Sequence, residues 1–584
     1  MASKFKHHVS LRILDSLKKV GQVSERAHIS LPKEIVIGNS KEGRNIELLI
    51  PVKNIQRNET VLCNNANDIT LATFENIPTD ETISSIQQHV DKHKENVIFT
   101  INRDIFVKEV LNDMIHKPNA YGKLFDVVSH PLGKKVVVEY SSPNIAKPFH
   151  VGHLRSTIIG NFIAKLHEYL SCSVTKINYL GDWGTQFGML KVGLDISNYT
   201  EEMIRQNPIQ LLFEAYVKAN KAAETDPEIS ARARRIFQQM EQGSLGDMEK
   251  WQAYRGYTVN ELQNLYRRLG VEFTQYDWES MYGANDVKSV LNLLQGSNIL
   301  KQKADGKQVV ELSDKLQVPV MKSDGSTLYL VRDIAAAIDR YEKLEFDEML
   351  YIVDNAQSDH FVALFGVLRK MAVPWANSLK HIKFGRVRGM STRKGNVVFL
   401  KDILDETRSI MKRKQQESPT TKTNLLESTS DVLGISAIII NDLKQRRQRD
   451  YEFDWNKATQ VQGDTGVRLQ YTHCRLWSLE KNCRAVLPVE CDPSVLQEPE
   501  VTLLVQEIAR FEEVLRRSYA ELEACILVNY LFQLCNLINR AFKVLPVKHE
   551  ESHIASQRLM LFHSARLVLN QGMRILGLRP LQEM

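Results

Sequence analysis

Two histidines, His150 and His153, stand three residues apart around Gly152 in the run His-Val-Gly-His. Ahead of them, Val136–Tyr140 is a short run rich in β-branched residues, the composition of a buried parallel strand. A turn, Ser141-Ser-Pro-Asn144, follows, and a helical pattern opens near Gly152. The histidines thus fall where a strand gives way to a helix, where free N–H groups and the helix dipole favour a phosphate. Gly152 removes a side chain where a nucleotide must come close. Two histidines at helical spacing can both face charge developing on an α-phosphate under attack. Alone, the pattern is short enough to arise by chance, as two histidines at a helix start.

A second cluster, Gly389-Met-Ser-Thr-Arg-Lys-Gly395, is a glycine-bounded loop. Its cations, Arg393 and Lys394, could close over phosphates and offset leaving-group charge. Taken alone it reads more readily as a solvated basic turn.

The elements that would hold these groups follow from patterning. Val174–Tyr179 reads as a second strand, and strand–helix–strand at this spacing is a βαβ unit of a doubly wound fold. Residues from about 190 to 300 are mostly helical and charged, an insertion between two halves of the sheet. The second half resumes with a helix at Arg332–Tyr341 and a strand at Met349–Val353. After about 405 the strands stop. Leu504, Ile508, Phe511 and Leu515, and later Leu559, Phe562, Leu569 and Met573, form helical stripes facing inward. Before the core, residues 21–130 look like a small α+β domain with strands at Ile46–Val52 and Val97–Ile101. The expected division is 21–130, a catalytic α/β core over 131–405 and an all-helical domain over 406–584. The core is a Rossmann-type doubly wound parallel sheet. Residues 1–20 are basic and amphipathic, with Phe5, Val9, Ile13 and Leu17 every four residues. They read either as a mitochondrial targeting segment or as the first helix of the N-terminal domain.

Composition sets bounds on the rest. A chain of 584 residues is several domains long. A net charge of +6 is compatible with a polyanionic partner without demanding one. The seven cysteines form no CxxC pair, which argues against a zinc ribbon, and their irregular spacing suggests free thiols in a reducing compartment. No apolar run approaches the roughly 20 residues of a membrane span.

The full run Val138-Glu-Tyr-Ser-Ser-Pro-Asn-Ile-Ala-Lys-Pro-Phe-His-Val-Gly-His-Leu-Arg-Ser156 resembles the first signature of class I aminoacyl-tRNA synthetases, in the form found in the arginine enzymes. Asn178-Tyr-Leu-Gly-Asp-Trp-Gly-Thr-Gln-Phe-Gly188 continues the match. The resemblance implies that His150 and His153 stabilise adenylate formation from an amino acid and ATP, with Mg²⁺ on the phosphates. It makes 389–395 the second signature loop. The usual two lysines are replaced there by Gly389 and Thr392, a form the arginine enzymes often show, and Lys147 stands where a compensating lysine is found. Gly152, Met390, Ser391 and His360 would lie by the ATP. A guanidinium needs carboxylates for bidentate pairing and neutral acceptors besides. By resemblance Tyr329, Asp333 and Gln357 hold it, while Glu139, Ser141 and Asn144 hold the α-amino and carboxylate end. Tyr329 and Asp333, four apart, share a helix face.

The resemblance makes 21–130 a tRNA-binding domain and 406–584 the anticodon-binding domain, with Tyr471 and Arg475 as candidates for contact with tRNA. The expected substrates are L-arginine, ATP and tRNA(Arg). No structural zinc, no membrane and a monomer are expected. The compartment leans to the mitochondrial matrix, with the cytoplasm as alternative. Another class I enzyme, such as the cysteine one, would want a zinc site. An inactive RNA-binding relative would not need His150, Gly152, His153, Asp333 and Gln357.

Overall fold

The computed structural model describes residues 2–19, 21–24, 27–38, 45–57, 61–62, 70–91, 94–117, 133–144, 149, 151–241, 245–314, 316–323, 325, 327–389, 399–418, 426–460 and 462–584. The chain forms two compact units. One combines residues 1–130 with 461–575 and 580–584, and the other holds 131–460 and 576–579.

In the first unit, helix Ala2–Leu17 turns Phe5, Val9, Ile13, Leu14 and Leu17 into the core. Its buried Lys6 pairs with Glu513. Residues Ala2–Leu17 thus form a packed helix of this unit. A four-stranded antiparallel sheet runs in the order Val36–Ile37, Ile46–Pro51, Lys94–Ile101, Ile83–Asp91. Helices Gly466–Asn482, Pro499–Ala509, Phe511–Glu521, Ala524–Val544 and Ser552–Ile575 complete the unit.

The second unit is built on five parallel strands: β1 (Lys135–Glu139), β2 (Ser173–Leu180), β3 (Gln275–Trp278), β4 (Glu348–Asp354) and β5 (Leu379–Phe384), in the order β5-β4-β1-β2-β3. The order reverses between β1 and β4, and in doubly wound sheets that switch point is where ligands bind, beyond the strands' carboxyl ends. Helix α1 (Val151–Tyr169) crosses from β1 to β2, and α2 (Thr185–Ser197) follows β2. Between β4 and β5 runs α4 (Ser358–Lys370), and α3 (Tyr329–Leu344) leads into β4.

The helical region expected as an insertion runs through Leu245–Leu269, but β3 then enters the sheet itself. A three-stranded antiparallel sheet, Leu300–Gln302, Gln308–Ser313 and Leu316–Met321, precedes α3. Its Val310, Val318 and Val320 share a core with Ile334 of α3 and Met349 of β4. The helices Leu400–Gln416 and Leu426–Leu443 fall in this unit, so the helical region that opens near 406 divides near 461.

Candidate active site

The turn after β1 is built from residues that accept unusual backbone angles. Ser141 and Ser142 have φ of 72° and 43°, conformations L-residues rarely adopt. Side chains hold them there. Ser156 Oγ accepts from Ser141 N–H at 3.0 Å, and Asn178 Oδ1 accepts from Ser142 N–H at 3.0 Å. The Ser141 hydroxyl is shared with Tyr266 at 2.7 Å and Thr157 at 2.8 Å, so it fixes the turn. Asn144 bridges to Gly181 beyond β2. Gly152 and His153 open α1, and the His153 ring lies 5.4 Å from that of Phe149. Lys147, His150, Met390, Ser391, Arg393 and Lys394 lie outside the described residues.

Across the switch point, α3 starts at Tyr329 and carries Asp333 one turn in. Tyr329 is exposed, and its hydroxyl comes close to Gly184. With φ of 120°, and space for a Cβ only 2.9 Å from that oxygen, position 184 takes glycine without strain. Asp333 Oδ2 is 2.8 Å from His360 Nε2, and this hydrogen bond raises the imidazole's pKa. His360, expected beside the ATP, thus stands on the carboxylate meant for the guanidinium, because α4 begins at Ser358 and brings it opposite α3. Gln357 ends a short 3-10 turn after β4, exposed to solvent.

Glu139 is not a free acid waiting at the strand end. It is buried at 5 % exposure, and Arg340 Nη1 donates to its Oε2 at 2.5 Å. Arg340 also donates to Asp277 of β3 at 3.1 Å, with its guanidinium 4.7 Å from the Tyr179 ring centre. Desolvation raises the Glu139 pKa, and the Arg340 charge opposes the rise. Arg340 lies seven residues beyond Asp333, two turns along α3.

Two further acids, Asp182 and Glu279, act electrostatically on this region. Asp182, fully buried, accepts from Ser280 N–H at 2.9 Å and Ser280 O–H at 2.6 Å, and lies 3.2 Å from Arg255. Glu279 follows β3, and burial together with the charges of Asp333 and Asp182 lifts its pKa to about 8. An acid that keeps its proton among further carboxylates is one that an arriving cation can ionise. Glu279 has no local sequence signature, since its neighbours come from β2 and α3.

Residues 121–455 match the family described as "tRNA synthetases class I (R), catalytic domain", and residues 469–584 match the "DALR anticodon binding domain". A Bos taurus relative, "Probable arginine--tRNA ligase, mitochondrial", is 42% identical over 505 residues, covering 86% of this chain and 87% of the relative. The chain belongs to the class I arginyl-tRNA synthetases. The cytoplasmic arginine–tRNA ligase of Saccharomyces cerevisiae is 37% identical over 92% of this synthetase and 89% of its own length. The Thermus thermophilus arginyl-tRNA synthetase structure shares the fold, with a TM-score of 0.77 at 19% identity over 99% of this chain and 100% of that one. Relatives thus carry both mitochondrial and cytoplasmic names.

In the helical part of the synthetase, Tyr471 is 45% exposed on helix Gly466–Asn482. Arg475, one turn on, lies 4.3 Å over the Phe542 ring and 5.9 Å from that of Tyr471. An aromatic ring and a guanidinium side by side is a surface on which loop bases can stack. Among the described residues, no group of three or more His, Cys, Asp or Glu could hold a metal, and no helix is long and apolar enough to cross a membrane.

Proposed function

We propose that this synthetase selects L-arginine through the acids at the switch point, activates it with ATP and passes it to tRNA(Arg). The observation that carries the selectivity is Asp333 in the first turn of α3 at the switch point, with Tyr329 beside Gly184 and with Glu279, whose pKa burial and neighbouring acids push up to about 8, close by. A guanidinium reaching Asp333 offsets that charge, stays ionised at any working pH and offers paired donors to carboxylates. Tyr329 and Gln357 supply neutral acceptors at the rim. An uncharged analogue cannot pair with the carboxylates that a guanidinium would bridge and is rejected strongly. Asn144 and the strained Ser141–Ser142 turn hold the α-amino and carboxylate end, with Glu139 set by Arg340.

The arginine carboxylate oxygen attacks the α-phosphorus of ATP, and the bond to pyrophosphate breaks. A hydroxyl of the terminal ribose of tRNA then attacks the carbonyl carbon. It loses its proton, and AMP leaves. Mg²⁺ arrives with ATP as part of the substrate. Gly152 at the start of α1 lets the nucleotide approach, and His150 and His153 donate to the α-phosphate as its charge grows. Lys147, Arg393 and Lys394 bind the phosphates, with Met390 and Ser391 beside them. Tyr471 and Arg475 take the anticodon side of the tRNA. Relatives named mitochondrial favour the mitochondrial matrix for this chain, with the cytoplasm as the alternative, and a monomer is proposed.

The test is charging of bulk tRNA with each of the twenty labelled amino acids, with His153→Ala as control. Arginine alone is expected, lost in the control. Charging with another amino acid overturns the pocket.

A further inference from the structure

Arg155 lies two residues beyond His153 on α1 and is 1% exposed. Its Nη1 donates to two carbonyls from distant segments, Gly385 at 2.5 Å and Arg449 at 2.9 Å. Its Nε lies 3.3 Å from Asp442 Oδ2, to which the Tyr451 hydroxyl donates at 2.8 Å. The guanidinium is 5.0 Å from the centre of the Tyr451 ring. Asp442 belongs to helix Leu426–Leu443. Burial pushes its pKa up, and the Arg155 charge works against that rise.

The carbonyl of Gly385 begins the stem that ends at Gly389. Val387–Arg388 pairs in parallel with Tyr451–Glu452, and Arg386 and Arg388 carbonyls accept from Tyr451 and Phe453 N–H at 3.1 and 2.8 Å. Close packing leaves no slack, since a Cβ at Gly385 would meet Asp450 and the Gln448 carbonyl at 2.6 Å. One side chain on the helix of the first signature therefore ties down both strands of the stem leading to the second.

We infer that Arg155 is a positioning residue for the ATP half of the reaction, holding the stem 385–389 in register with the start of α1. It touches no substrate, and none of its partners belongs to the arginine pocket. This rests on reading Gly152–His153 and 389–395 as ATP-binding segments. A guanidinium suits the task because its Nη1 holds both carbonyls while its Nε end lies against the Asp442 carboxylate, a spread of charge that a compact ammonium lacks.

The test is arginine-dependent pyrophosphate exchange with tRNA present, on Arg155→Lys and on the double variant Arg155→Met with Asp442→Leu. The double variant removes both buried charges together, which folds often tolerate where loss of one partner is not. Both variants are expected to bind arginine with a KM within about twofold of the parent. Their kcat should fall by about a hundredfold, or their KM for ATP rise by about tenfold, as misplacement of reacting groups by an ångström does. Parental ATP kinetics in either folded variant overturns the inference. So does a fall in ATP and arginine parameters together that tracks lost thermal stability, the mark of a merely structural role. Should the double variant not fold, Arg155→Lys alone decides between these outcomes. If the parent protein shows no arginine-dependent exchange, the ATP reading itself fails, whatever Arg155 does.

Discussion

Asp333 is already engaged by the His360 imidazole at 2.8 Å, so an arriving guanidinium must displace or share it. Asp333→Asn keeps the shape and removes the charge. The loss of a charged hydrogen bond of about 3 kcal/mol raises the arginine KM roughly a hundredfold, with a smaller change for ATP. Steady-state arginylation measures both, and an unchanged arginine KM removes Asp333 from the pocket. Glu279 adds a pH dependence whose sign is fixed. Its pKa is raised from 4.5 to about 8, so the folded, arginine-free protein keeps a proton that the unfolded chain releases. That group therefore costs stability as pH rises from about 4.5 to 8. Arginine binds best to the ionised acid, so affinity climbs as pH rises towards 8, with net proton release on binding at neutral pH. Calorimetry in buffers of different ionisation heats reads that release, and Glu279→Gln abolishes it. Affinity flat across about pH 6.5 to 8.5 would sink the assignment.

At the scale of elements, the helix carrying the first signature sits where it does because Gly160 leaves room for Tyr140. A Cβ there would lie 2.2 Å from Tyr140 Cγ, so Gly160→Ala forces α1 off the sheet. Such overpacking costs about 1–3 kcal/mol, and it tilts His153 away from the switch point. Denaturant unfolding should show the loss, and kcat should fall more than the arginine KM rises. An alanine variant with parental stability and kcat contradicts the packing argument. Elements of this kind were legible wherever a period was long enough to see. Val136–Tyr140 and Val174–Tyr179 are β1 and β2 to within one residue at each end, and Met349–Val353 lies inside β4. The strand β3 was not legible, because Gln275-Tyr-Asp-Trp278 is four residues long and half polar. The antiparallel sheet of 300–321 hid for a related reason, since its middle strand has two register shifts that break the alternation. In the site, residues in the quoted motifs could be named from spacing. Arg340, Asp277 and Glu279 could not, because their partners lie dozens to hundreds of residues away and only topology brings them together.

For the whole molecule, the sequence suggests separate domains at the two ends, yet 1–130 and 461–575 form one unit. The helix Arg103–His116 packs against Pro499–Ala509 and Ser552–Ile575. Polar ties reinforce the apolar contact. Arg103 donates through Nε to Thr502 Oγ1 at 2.8 Å and through Nη2 to the Leu496 carbonyl. Asn112 Oδ1 accepts from Cys491 N–H at 2.7 Å, and Glu513 accepts from Ile37 N–H at 3.2 Å while pairing with Lys6. Helix Arg103–His116 is covered by the C-terminal helices, so residues 1–130 expressed alone would expose that face and should not fold cooperatively. Arg103→Ala leaves the Leu496 carbonyl and Thr502 without their donor and opens packing at the joint. A cost of about 2 kcal/mol in a unit of this size lowers its midpoint by roughly 4–8 °C. Scanning calorimetry should resolve two transitions, with only one shifted, and pyrophosphate exchange should be unchanged at temperatures below it. A single transition, or one in which both midpoints move together, would mean that the two ends of the chain do not unfold as a body of their own.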